Sequence, residues 1–188
     1  MIDIRSVSFD TSFLLNKSPD VEVVLKILKR AKINCYVTST VITELDALRL
    51  NYRINEDTYA KAMKRWHQVN AKVIDFKNWL LSAEFIRDCQ RSMGEHHGIG
   101  PDTIVNDCKI IVVGLKKGVD LFLSEDFHFT SKITDKVVKD ITSNACQEYH
   151  QMCDVELYSV NTITFLKAFK DGKLDIDLIN RNRNINLP

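Results

Sequence analysis

The sequence lacks a strong excess of either charge. Its 188 residues carry 26 Lys and Arg against 25 Asp and Glu, a formal net charge of +1. That balance excludes a protein that holds nucleic acid by bulk positive charge alone. It does not exclude an enzyme that acts on nucleic acid, because a cluster of metal-binding carboxylates would offset basic residues elsewhere in the sum.

Long apolar runs are also absent. No stretch approaches the roughly 20 residues that span a bilayer. The start, Met1 to Arg5, has an acid too early and no long apolar core for a signal peptide. We therefore expect a cytoplasmic protein with no membrane partner.

Glycine and proline are scarce, at six and three residues, which excludes collagenous and low-complexity chains. We find no internal repeat and no linker. The length suits one domain with a sizeable core. We predict a single domain over residues 1–172, with an inserted helical region over about 51–92 and an Asn/Arg-rich extended arm over 173–188.

The five cysteines are odd in number and far apart in sequence, so reduced, buried thiols are expected. One spacing leaves an alternative open. Cys146, His150 and Cys153 offer three zinc ligands without a clear fourth, and the sequence does not decide whether they bind zinc.

Apolar spacing predicts strands that alternate with helices, the pattern of a parallel sheet covered by helices on both faces. We predict strands that end at Asp10 and at Thr38, each followed by a helix start. The other predicted strands are Lys72–Phe76, Val119–Ser124 and Val155–Tyr158. The predicted helices are Asp20–Lys32, Glu56–Asn70, Asn78–Gln90, Pro101–Lys117, Thr134–Cys146 and Thr162–Lys170, with a loop over Ser92–Gly100.

Four acids occupy positions where an open α/β sheet binds its ligands, outside the carboxyl ends of the strands. Asp10 ends the first strand, and Glu44 lies early on the helix after the second. Asp107 lies at the edge of the apolar arc of its helix, and Asp126 follows the strand that ends near Ser124.

Carboxylates held together raise one another's pKa unless a cation lies among them. Oxygen ligands without His or Cys favour a hard ion, so the expected cofactor is Mg²⁺ or Mn²⁺. Such an ion activates water and neutralises developing charge, which suits phosphodiester hydrolysis.

Three segments combine these acids with apolar neighbours in a characteristic order: Phe9–Leu15, Val41–Leu48, and the block from Asp107 through Gly118 to Phe127. Together they resemble the PIN-domain ribonucleases. The resemblance covers about residues 5–170. The final block, with helix, glycine, strand and Ser-x-Asp-x-x-Phe in that order, is its most specific part.

The resemblance implies a three-layer α/β/α sandwich with a central parallel sheet, and Mg²⁺- or Mn²⁺-dependent endonucleolytic cleavage of RNA. Asp10, Glu44, Asp107 and Asp126 match the acidic positions of the family. Ser12 and Ser124 match hydroxyl positions that orient carboxylates or waters. A homodimer, and an antitoxin or a processing-complex protein as partner, are implied in the same way.

Other interpretations compete with these. A basic stretch near Glu44 is either a solvated helix face or a rim that contacts RNA phosphates; its members are Arg49, Arg53, Lys61, Lys64 and Arg65. His96 and His97 are more typical of a surface loop than of a metal site. A haloacid-dehalogenase-type phosphatase is excluded, because Ser12 occupies the position of its second acid.

Two classes of function therefore remain. The leading hypothesis is a metal-dependent endoribonuclease, either a toxin or an RNA-processing enzyme. The alternative is a non-catalytic PIN-like module that binds RNA or a protein.

Overall fold

The protein is an α/β fold whose main sheet has five strands, all parallel. The structure is a computed structural model that describes residues 1–76, 79–98, 100 and 102–185. In chain order its elements are β1 Ile2–Asp3, β2 Ser6–Phe9, α1 Thr11–Leu15, α2 Asp20–Arg30, β3 Asn34–Thr38, α3 Ser39–Leu50, α4 Glu56–Gln68, β4 Lys72–Ile74, α5 Ser82–His97, α6 Val105–Lys117, β5 Leu121–Leu123, α7 Phe127–Thr130, α8 Lys132–Tyr149, β6 Tyr158–Val160, α9 Thr162–Ala168, β7 Phe169–Lys170, β8 Lys173–Leu174 and α10 Ile176–Ile185.

The sheet has the spatial order β4-β3-β2-β5-β6. Phe9 of β2 is paired with Val37 of β3 on one side and with Leu123 of β5 on the other. The order reverses beside β2, because the chain first adds β3 and β4 on one side and later β5 and β6 on the opposite side. The switch point of the fold therefore lies between the carboxyl ends of β2 and β5.

The central strands are buried along their whole length. Every residue of β2 and β5 is buried, which is typical of a parallel sheet with both faces covered. The flanking helices form two groups. Helix α2 packs against α4 and α9, and helix α5 packs against α6 and α8. This arrangement confirms the predicted parallel sheet with flanking helices and is compatible with a three-layer sandwich.

The region expected to be an inserted helical segment contributes to the main sheet. Residues 51–92 contain α4, the edge strand β4 and the first part of α5, and β4 pairs in parallel with β3. Because the sheet needs β4 as an edge strand, α4 is part of a β-α-β crossover.

The C-terminal segment is not the extended arm that its composition predicts. Lys173 and Leu174 form β8, which pairs with β1 and β7 in a small antiparallel sheet. Residues Ile176–Ile185 form α10, which packs against α9 and buries Ile179 completely. The apolar side chains among the Asn and Arg residues are what hold this helix to the domain.

Several other element boundaries differ from the sequence prediction. Helix α5 continues through His96 to His97, so the predicted loop over Ser92–Gly100 is wrong for most of its length. Helix α6 begins at Val105, and Pro101 lies outside the described residues. Within the described part of the chain, no helix is long and apolar enough to cross a bilayer.

Candidate functional site

The first acid of the site, Asp10, lies where β2 ends and α1 begins. Its carboxylate caps α1 by accepting a hydrogen bond from the Ser12 backbone N–H. The residue is only 5% exposed, and this burial raises its pKa. Hydrogen bonds from Ser12 and Ser124 oppose that effect without reversing it. A buried carboxylate is thus held at the switch point of the sheet.

Ser12 and Ser124, predicted to orient carboxylates, both donate to the same atom of Asp10. Ser12 Oγ is 2.5 Å and Ser124 Oγ 2.9 Å from Asp10 Oδ2, and the two hydroxyl oxygens are 3.1 Å apart. The backbone amides of Glu125 and Asp126 donate to these hydroxyls in turn. The loop after β5 is therefore fixed to the loop after β2, and Oδ1 of Asp10 accepts none of these bonds.

Glu44 lies on the second turn of α3 and joins two further elements. Its Oε2 accepts a 2.5 Å hydrogen bond from Thr11 Oγ1, and its Oε1 accepts a 2.9 Å bond from Asn106 Nδ2. Burial raises the pKa of Glu44, and the negative charge of Asp10 raises it further. Thr11 and Asn106 were missed from the sequence, although each is adjacent to a predicted acid, Asp10 and Asp107.

Asp107, on the first turn of α6, shows most directly that the acids share one region. Burial raises its pKa to about 7, and the charges of Asp10, Asp126 and Glu44 contribute to the rise, in that order. Its side chain is 19% exposed, so water and ions still reach it. The four predicted acids are therefore within electrostatic range of one another.

The side chain of Asp126 is 42% exposed, and it caps α7 through a 2.8 Å bond from the His128 backbone N–H. The His128 ring also faces the acids. Its Nδ1 is 3.6 Å from Asp126 Oδ1 and 3.8 Å from Asp107 Oδ2. Sequence reasoning did not select His128, although its position two residues after a candidate acid was a signal for it.

The acids are grouped electrostatically but are not arranged as metal ligands. Across the described residues, no group of three or more His, Cys, Asp or Glu side chains could hold a metal ion as placed. The donor chemistry nevertheless fits a hard divalent cation. The site offers carboxylate and hydroxyl oxygens, and the negative charges of its carboxylates repel one another when no cation is bound. Side-chain rotations would be needed to bring three carboxylates onto one ion.

The predicted basic rim divides into exposed and buried members. Arg53, Lys61 and Lys64 are exposed. Arg49 is partly exposed, forms a 2.8 Å ion pair with Glu56, and stacks over the Tyr59 ring. These four remain available at the surface.

Arg65 does not belong to that rim. Only 2% of its side chain is exposed; its Nε donates to Glu22, and its Nη1 donates to the carbonyls of Leu14 and Asn16. The guanidinium joins α4 to α1 and α2, so the expectation that Arg65 lies on an exposed helix face with the other four basic residues is wrong.

The pairing of the cysteines differs from what the sequence predicted in two respects. Cys89 is bonded to Cys108 and Cys146 to Cys153, so only Cys35 is free, and burial raises the pKa of its thiol to about 12. The expected set of reduced thiols is therefore wrong, because the fold brings distant cysteines within bonding distance. Since Cys146 and Cys153 are bonded to each other, they are not zinc ligands together with His150.

A search of known protein families finds no match to this chain, and neither does a search of curated proteins. Function must therefore be inferred from the side chains and their geometry.

Proposed function

We propose that this protein is a PIN-like endoribonuclease that uses Mg²⁺ or Mn²⁺ to hydrolyse phosphodiester bonds of RNA. One observation carries the proposal: Asp10, Glu44, Asp107 and Asp126 converge at the switch point, where three of them raise the pKa of the fourth. Stability alone does not favour such a cluster, because like charges repel. Accumulated, partly buried acids of this kind are typical of functional sites.

The residues of the chain have distinct roles in this proposal. The four carboxylates would hold the ion, which when bound supplies charge neutralisation and an activated water. Ser12 and Ser124 fix the Asp10 carboxylate through hydrogen bonds to Oδ2. Asn106 and Thr11 fix Glu44 in the same way.

RNA is the proposed substrate, bound as a single strand or in structured form. Arg49 lies on the same helix as Glu44, about 8 Å further along at 1.5 Å per residue. With Arg53, Lys61 and Lys64 it would contact phosphates of the bound strand. A cytoplasmic location belongs to the same proposal and is based on the lack of long apolar runs in the sequence. A homodimer, and an antitoxin or processing-complex partner, follow from the family resemblance alone.

The test is cleavage of an end-labelled single-stranded RNA in Mn²⁺. We expect Asp10→Asn and Asp126→Asn to lose more than about 100-fold of the activity, beyond what loss of a supporting residue typically costs. Asp102→Asn is the matched control, since Asp102 is exposed and precedes α6. Circular dichroism checks that each variant is folded. Equal cleavage by all four proteins would refute the proposed site.

A second candidate is the non-catalytic PIN-like module, and one observation favours it. Asp10 and Asp126 each cap a short helix, a structural role that needs no metal. Together with the lack of a coordinating arrangement among the described residues, this role accounts for both acids without chemistry. RNA binding that is undiminished in EDTA, with no cleavage in any divalent ion, would establish this candidate over the nuclease.

A further inference from the structure

A pocket of about 310 Å³ lies between the end of α1 and the start of α4, away from the acid cluster. Its lining includes Asn16 and Lys17 from the segment after α1, and Thr58, Lys61 and Arg65 from α4. None of the four candidate metal ligands lines it. Asp10 and this pocket are at opposite ends of α1, about 8 Å apart along the helix axis at 1.5 Å per residue.

Arg65 is the reason to regard this pocket as a binding site. A guanidinium has five N–H donors. Nε donates to Glu22 Oε1 at 2.9 Å, and Nη1 donates to Leu14 O at 2.7 Å and to Asn16 O at 2.6 Å. Nη2 is buried and has no hydrogen-bond partner in the protein. A buried charged group with unused donors is rare and calls for a partner that the protein itself does not supply.

The surrounding charge indicates what that partner is. Lys17 and Lys61 are exposed at the pocket, and they join Arg65 on the positive side. The opposing groups are Asp57, which also lines the pocket, and Glu22, which already pairs with Arg65 Nε. The net charge of these five groups is positive. The pocket also lies at the N-terminus of α4, where the helix dipole favours a negatively charged ligand.

We propose that this pocket binds a phosphate group, which is held at its open side by Lys17 and Lys61 and accepts hydrogen bonds from Arg65 Nη2 once the lining side chains shift to uncover that atom. Arginine suits this role because its planar fork matches the oxygens of a phosphate. The volume is near the lower end of small-molecule sites, so the phosphate can carry an attached sugar. Its source is either free phosphate or the backbone of an RNA strand.

The test is a titration with inorganic phosphate at constant ionic strength in EDTA, followed by the Nε–H resonance of Arg65 in ¹⁵N-correlated NMR. We expect a saturable shift of that resonance. Lys61→Ala should weaken the phosphate affinity by about fivefold, the effect of losing one exposed charge contact. Lys64→Ala is the matched control, because Lys64 is exposed on the same helix and does not line the pocket. It should leave the affinity unchanged.

Two outcomes would overturn the proposal. One is the absence of a saturable shift, which means that water alone satisfies Nη2. The other is an equal midpoint in the wild type, Lys61→Ala and Lys64→Ala, which places the phosphate elsewhere. Arg65→Lys is a second variant that keeps the charge but removes Nη2, and if it folds it should lose binding.

A competing single-stranded oligoribonucleotide distinguishes the two sources. If the strand displaces phosphate, the pocket takes the RNA backbone; if phosphate binds without competition, the pocket takes free phosphate or a mononucleotide. The same titration on Asp10→Asn should be unchanged, because the pocket does not use the acid cluster. The phosphate pocket can therefore fail while the nuclease proposal stands, and the reverse is equally true.

Discussion

At the scale of single residues, Asp107 gives the strongest evidence that the four acids influence one another. A carboxyl group with a pKa of about 7 in the folded protein and 3.8 unfolded binds more protons when folded. Stability in the absence of metal should therefore fall as the pH rises from about 4 to about 7, and level off above that range. The acid cluster thus destabilises the metal-free protein at neutral pH.

We predict that Asp107→Asn stabilises the metal-free protein at pH 7.5 by about 1–3 kcal/mol and has little effect at pH 4. The variant keeps the shape of the side chain and removes the charge that Asp10, Asp126 and Glu44 repel. Denaturant unfolding in EDTA at the two pH values measures the effect. Asp102→Asn, at an exposed position, should change stability at neither pH, and a loss of stability in Asp107→Asn at pH 7.5 would contradict the predicted repulsion.

Single residues were predictable where position alone fixes the environment. An acid directly after a buried parallel strand must lie at the carboxyl edge of the sheet, and Asp10 and Asp126 could be selected for that reason. Arg65 could not be placed correctly, because charged residues on a helix are normally exposed and its partners are carbonyls of α1 distant in sequence. Asn106 and His128 are near predicted acids in sequence, but proximity alone does not show which side chains contact those acids.

At the scale of elements, the helix that carries Asp107, α6, approaches Phe122 of β5 closely at one point. Gly114, in the last turn of α6, makes this close approach possible, because a Cβ atom there would lie 2.6 Å from Phe122 Cζ. Phe122 is a buried residue of β5 and cannot move without disturbing the sheet. The glycine is needed here for space, whereas Gly118 is needed for its left-handed backbone at the end of the helix.

We predict that Gly114→Ala destabilises the protein by about 1–3 kcal/mol, because the cost of overpacking exceeds the gain of about 1 kcal/mol in helix propensity. Urea denaturation measures the change. The double variant Gly114→Ala with Phe122→Leu should recover part of the loss, since the smaller side chain makes room for the new methyl group. Stabilisation by the single variant would show that α6 does not approach β5 this closely.

The disulfides connect elements that carry the site. Cys108 follows Asp107 on α6 and is bonded to Cys89 on α5, across 19 residues of sequence. A disulfide that closes a loop of this length is expected to contribute about 3 kcal/mol to the free energy of unfolding, because the crosslink restricts the unfolded chain. It also holds α6 beside α5 while the charges of the acid cluster repel one another.

We predict that thiol titration of the unreduced protein in denaturant finds one free thiol per chain, that of Cys35. Reduction should lower the free energy of unfolding, and Cys89→Ser should reproduce most of that decrease. Five titratable thiols in freshly purified protein would contradict the observed pairing and would restore the reduced state that the spacing of the cysteines suggested.

Element prediction succeeded where the sequence contains a clear end signal. The predicted helix over Asp20–Lys32 is found at Asp20–Arg30, and the predicted end at Gly118 is confirmed. The prediction was wrong for the last turns of α5, because the glycine and the two histidines there are typical of a loop. An internal glycine costs a helix only about 1 kcal/mol. Contacts of α5 with α6 and α8 offset that cost, and these contacts were not visible in the sequence.

At the scale of the whole molecule, the near-zero net charge conceals how the charges are distributed. The order of the five strands brings four acids together beside β2 and β5, while exposed basic residues occupy α3 and α4. The alternation of strands and helices was enough to predict the parallel sheet, because only a few sheet topologies are compatible with that order of elements. The strand predicted at Lys72–Phe76 is found as β4, but its place at the edge of the sheet was not predictable, since the order of strands depends on contacts between residues distant in sequence.

The measurement that tests the central claim most directly is Mn²⁺ binding, followed by electron paramagnetic resonance of the free ion. The account predicts saturable binding to the wild type and to Asp102→Asn, and affinity weakened by more than about 10-fold in Asp107→Asn. If the wild type leaves all Mn²⁺ free, or if Asp107→Asn binds as tightly as the wild type, the four acids are not a metal site and the nuclease proposal is wrong.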